Sequence, residues 1–141
     1  MRSLEDIFGD TLFLGATRGL KRDEERLWMI AEHLEEDETA LAFLSLRTGN
    51  LLLTPKRVLE LKPHLDVGGM WNVLRFEGYA VTAEEELRYI QRVHVEASRG
   101  GGRLGLETRS GEREWSVPAA SSSKDPSSNA RAFADRILER L

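Results

Sequence analysis

Asp125-Pro126-Ser127-Ser128-Asn129-Ala130-Arg131-Ala132-Phe133-Ala134-Asp135-Arg136-Ile137-Leu138-Glu139-Arg140-Leu141 closes the chain with one amphipathic helix after a long run of strand signals. Asp125 suits an N-cap and Pro126 the first helical position, because the cap accepts from a free N–H and proline lacks one to lose. Ala130, Phe133, Ala134, Ile137, Leu138 and Leu141 recur at helical spacing and predict a single apolar stripe. A helix with such a stripe has to lie on a sheet or plug one. An acidic side chain at Ile137 should then damage stability.

Working back, the period is that of strands. Glu112 to Val117, with Trp115 and Val117 inward, follows the turn Ser110-Gly111, and Leu104, Leu106 and Thr108 share a face after the loop Ser98 to Arg103. Leu87, Tyr89, Gln91, Val93, Val95 and Ala97 alternate with Arg88, Ile90, Arg92, His94 and Glu96, which predicts one strand with those two faces. Trp71 to Phe76, running on towards Val81, reads as another, and Glu84-Glu85-Glu86 as a solvated bend. Arg57 to Leu65 and Leu51 to Thr54 are further strands, joined at Pro55-Lys56. The stretch Leu41 to Leu46 is too apolar for either face to be exposed, so this strand should be covered on both sides. About seven strands result, in an antiparallel meander.

The front of the chain is helical. Ser3-Leu4-Glu5-Asp6 has the form of a capping box, and Asp23 can cap a second helix to about Leu34 with Leu27, Ile30, Ala31 and Leu34 at core spacing and Trp28 beside them. The run Glu35-Glu36-Asp37-Glu38 ends it and reads as solvated surface.

Composition bounds the function. A chain of 141 residues, 40% hydrophobic and 31% charged, fits one soluble domain with one core. It has no cysteine, which removes disulfides, thiol catalysis and thiolate metal sites, and its start lacks the apolar run of a signal peptide, so the expected location is cytoplasmic. Residues 1–46 hold 5 Lys/Arg against 11 Asp/Glu, whereas residues 47–141 hold 15 against 13. That balance gathers no concentrated basic face, which disfavours nucleic acid as a partner.

The order of elements resembles a bacterial pleckstrin-homology-like domain. The similarity is carried by Glu38 to Leu41, Gly49 to Val58, Leu87 to Val93 and the final helix. The resemblance implies an α+β, mainly β fold: a strongly bent antiparallel sheet or open barrel of about seven strands, closed by the C-terminal helix. Residues 1–37 would be a helical extension and residues 38–141 the barrel with its helix. It further implies a binding or assembly module without enzymatic activity or cofactor.

The site residues follow from those expectations. The apolar arm with Ile7, Phe8, Leu12, Phe13 and Leu14 is the expected contact for a protein partner or a second copy, because a barrel of this size need not accommodate it. The alternative is an anionic lipid headgroup held by Arg47, Lys56, Arg57, Lys62, Arg99 and Arg103, with Arg99-Gly100-Gly101-Gly102-Arg103 offering backbone N–H groups between two guanidinium groups. His33, His64 and His94 lack the paired spacing of a metal site, and His64 with Asp66 is an incomplete ligand set. His94 would serve as an acid or base only if a carboxylate and a nucleophile converged on it.

Overall fold

The computed structural model describes residues 2–68, 73–120 and 124–141. The fold is α+β and mainly strand, with eight strands in two sheets among the described residues and a C-terminal helix. Strand β1 (Leu12–Leu14) pairs parallel with β2 (Ala42–Ser45), and β3 (Asn50–Leu53), β4 (Arg57–Gly68) and β5 (Val73–Glu86) follow as an antiparallel meander. Strands β6 (Ile90–Ser98), β7 (Gly101–Thr108) and β8 (Gly111–Pro118) form the second sheet. Among the described residues the strands do not close into a barrel. The expected strand start at Trp71 and the serine-rich connection at 121–123 lie outside the described residues.

The five-stranded sheet is covered on both faces, as the composition of residues 41–46 requires. Alternation sends Ala42, Leu44, Leu51, Leu53 and Val58 to one side, where they pack with Leu104, Leu106 and Val117 of the second sheet and with the helix α3 (Ser128–Leu138). Phe43, Leu52, Leu59 and Leu61 point the other way and meet Ile7 and Phe8 of α1 (Leu4–Phe8) and Leu27 and Ile30 of α2 (Glu24–Ala31). The sheets are also tied at their edges: Trp115 Nε1 donates to Glu60 Oε2 at 2.6 Å, and Arg113 pairs with Glu85.

Helix starts follow local chemistry. Ser3 Oγ accepts from the Asp6 N–H while the Asp6 carboxylate accepts from the Ser3 N–H, so the capping box is complete. Asp23 caps α2 through the Arg26 N–H at 3.1 Å. Helix α3 begins two residues later than expected. Asp125 is not its cap: that carboxylate accepts from the Ser127 N–H and Oγ–H, folding Asp125 to Ser127 into a local turn.

Ala130, Phe133, Ala134 and Ile137 are buried, whereas Leu138 and Leu141 are exposed, so the stripe ends one turn early. The helix comes close to β7 at Gly102, where a β-carbon would stand 3.0 Å from that of Ser127.

Other expectations are corrected by register. Residues 87–89 form a 3₁₀ turn, and the β6–β7 register skips Gln91, pairing Ile90 with Thr108 and Arg92 with Glu107. That bulge changes the parity, so Ile90 enters the core although simple alternation puts it on the polar face. Glu84 to Glu86 are not a bend but the end of β5, paired with Arg57 to Leu59.

Candidate functional site

The apolar arm belongs to the fold. Ile7, Phe8 and Leu14 are buried, Leu12 packs against the core shared with α3, and Phe13 stands edge-on to Phe43 at 6.4 Å on the opposite face. The premise that this arm needs no accommodation is therefore corrected: β1 completes the sheet edge beside β2, and α1 roofs the sheet. Removing residues 1–20 would expose core, so such a truncation reads out folding rather than recognition.

What the N-terminal layer leaves open is a groove beside that arm. A cavity of about 490 Å³ is lined by Ile7, Trp28, Ala31 and Leu34, with Arg2, Glu32 and Glu36 on its polar side. Trp28 is 43% exposed, a large aromatic left uncovered on a helix whose Leu27 and Ile30 are buried. Helical spacing explains the division: Leu27, Ile30 and Ala31 face the sheet, and Trp28 stands at the margin of that stripe.

The floor of this layer is held by charge. Glu38 is fully buried, which corrects its reading as solvated surface. Arg57 grips it twice, Nε to Oε2 at 2.9 Å and Nη2 to Oε1 at 2.7 Å, while Thr54 Oγ1 and the Glu35 N–H also donate to it. Burial alone would raise the Glu38 pKa, but the hydrogen bonds from Arg57, Glu35 and Thr54 outweigh it and hold the carboxyl below its ordinary 4.5. Arg57 reaches further, to the His33 carbonyl at 2.9 Å and to Glu84 at 3.2 Å, and Arg2 donates to the carbonyls of Glu35 and Glu38. Three of the four acids in the run are thus exposed, and the fourth locks the α2–β2 connection onto the β3–β4 turn.

That network divides the six expected basic residues. Arg57 is committed to Glu38 and is not available to a lipid. Lys56 lies between Asp37 at 2.8 Å and Glu35 at 2.7 Å, whose hydrogen bonds raise its pKa. Arg47, Lys62, Arg99 and Arg103 are exposed, and among the described residues no carboxylate pairs with them. The structure brings two of the loops together: Arg47 Nη2 lies 3.5 Å from where a β-carbon on Gly100 would stand, so the β2–β3 turn touches the β6–β7 turn that carries Arg99. Lys62 sits on β4, and Arg103 is on β7, with Ser116 and Glu96 as its backbone register partners on the neighbouring strands.

His94 faces away from Val93 and Val95, which pack on the core. Its Nε2 is 3.1 Å from Glu112 Oε1, a carboxylate on β8. His64 is exposed, and the Asp66 side chain proposed beside it lies outside the described residues. Searches against protein-family models, curated proteins and solved structures find no match to this chain.

Proposed function

We propose that this chain is a non-catalytic protein-binding module that receives its partner in the groove over the N-terminal layer. The observation that carries this reading is Trp28, half-exposed on the wall of an apolar groove. Exposed aromatics beside a pocket are the usual anchors of protein contacts. Charge indicates the partner's chemistry: Glu32 and Glu36 edge the groove, and the first 46 residues carry more than twice as many acids as bases. An apolar side chain flanked by Lys or Arg would therefore be favoured by both burial and field. This is the binding role implied by the pleckstrin-homology-like resemblance, transferred from the arm to the surface that the arm helps to build.

A photo-crosslinking residue in place of Trp28 tests the reading. It should label one partner that a crosslinker at exposed Arg109 on the β7–β8 turn does not label, and Trp28→Glu should lose that partner with its melting temperature unchanged. Equal labelling from both positions would overturn the proposal, and a second copy as the labelled partner would make the module self-associating.

A second reading, contact with anionic headgroups, is favoured by the juxtaposition of Arg47 with the Arg99 turn. No helix is long and apolar enough to cross a membrane among the described residues, so such contact by helices would be peripheral. Co-sedimentation with anionic vesicles should persist at physiological salt and fall in Arg47→Glu/Arg99→Glu. Binding that vanishes at physiological salt would dismiss this reading.

A further inference from the structure

We propose that His94, Glu107 and Glu112 form a binding site for a divalent transition-metal ion of the zinc type on the outer face of the second sheet. One ligand atom from each residue lies within 4.8 Å of the other two. The three come from three successive strands, and the register explains their convergence. His94 pairs with Gly105 on β7, Glu107 lies two residues further along β7 on the same face, and Glu112 of β8 stands directly opposite Glu107.

Three further observations bear on the site. The imidazole lies across Gly105 so closely that a β-carbon there would fall 2.3 Å from two ring atoms, so any residue other than glycine would displace the ring. Glu107 and Glu112 are like charges in a directly opposed cross-strand pair, an arrangement that destabilises a sheet unless something positive sits between them. Arg92 reaches Glu107 only at 3.7 Å and is mostly exposed, so it offsets little of that repulsion. Finally, the ring is incompletely used: Nε2 meets Glu112, but Nδ1 is buried and has no partner among the described residues.

The donor set selects the ion. One imidazole and two carboxylates suit zinc, cobalt or nickel better than calcium or magnesium, which prefer oxygen alone. The side chains of His94, Glu107 and Glu112 are 21%, 40% and 45% exposed, which leaves water free to complete the coordination. With Nε2 on the metal, the ring proton moves to Nδ1, which has no acceptor to orient it. Affinity should therefore fall below that of a structural zinc centre, whose histidines are held by an outer shell. A bound ion would join β6, β7 and β8 and stabilise the folded chain by mass action.

The test is calorimetric titration of the full chain with Zn²⁺ after dialysis against a chelator, with Co²⁺ absorption as a second readout. The expected result is one ion per chain and a rise in melting temperature. Glu112→Gln, which preserves shape at a part-exposed position, and His94→Ala should each weaken binding by more than about tenfold, the loss that even an outer-shell change costs. Glu114→Gln, paired with Gly105 on the same face, should bind as the unaltered chain does. His33 and His64 remain in every variant, so His94→Ala also reads any binding elsewhere. Absence of saturable binding, or an affinity in Glu112→Gln and His94→Ala unchanged from that of the unaltered chain, would overturn the site.

Discussion

The two faces of the five-stranded sheet are covered by different means. On one, α3 and the second sheet bring Phe133, Ile137, Leu104 and Leu106 into an apolar core. On the other, two helices of five and eight residues are too short to be stable alone, and they are held by a smaller apolar contact and by polar clips. Those clips are Glu38 with Arg57, Arg2 with two carbonyls, and His33 Nε2 with the Tyr79 carbonyl at 2.7 Å. The sealed face supplies stability, while the clipped face can leave Trp28 uncovered.

The largest effect should come from breaking the sealed face. Ile137→Asp places a charge at a fully buried site and should cost about 5 kcal/mol or more, close to the whole stability of an ordinary domain. Loss of a cooperative thermal transition is the expected outcome, and a melting curve like that of the unaltered chain would show that α3 does not close this core.

Breaking the clip comes next. Arg57→Ala leaves Glu38 buried without its cation and should cost roughly 3–5 kcal/mol in urea unfolding.

The same carboxylate gives the clipped face a pH dependence. Because folding lowers the Glu38 pKa below 4.5, the folded chain binds fewer protons than the unfolded one as pH falls. Its stabilising contribution is complete above the unfolded value and disappears as pH drops through the folded one. Urea midpoints measured down an acid series should fall less steeply in Glu38→Gln than in the unaltered chain, and parallel slopes would contradict this assignment.

Smaller changes sharpen the contrast. Asp23→Ala removes the α2 cap and should cost about 1 kcal/mol. Trp28→Ala should change stability by less than about 0.5 kcal/mol, as expected of a half-exposed surface side chain. A loss several times larger in thermal or urea melts would place Trp28 among the structural residues.

Much of this division was readable in the residues, and the unread part has identifiable causes. The capping box at Ser3, the Asp23 cap, the doubly covered strand at Leu41 to Leu46 and the part of the α3 stripe from Ala130 to Ile137 are local signals, and they correspond to observed elements. The short strand β1 was not legible: its three residues become a strand only by pairing with Ala42 to Leu44, some 30 residues later. Ile90 was assigned to the wrong face because a bulge at Gln91 shifts parity, and no property of that residue announces it. Glu38 looked like its acidic neighbours. Only the distant Arg57 and Thr54 distinguish it, and a favourable tertiary environment overrides the ordinary exposure of a charge run.

The candidate sites divide in the same way. Trp28 was legible only as a tryptophan beside the core spacing of α2, because its exposure depends on how far α2 is rotated over the sheet. The His94 cluster has no sequence spacing of its own, because its geometry is set by strand register and by Gly105.

Native-state hydrogen exchange compares the two faces most directly. The amides of Leu27 and Ile30 in α2 should exchange through a partial opening of lower free energy than those of Phe133 and Ile137 in α3, which should wait for global unfolding. Protection in α2 equal to or greater than that in α3 would contradict the account of a sealed face opposite a clipped one.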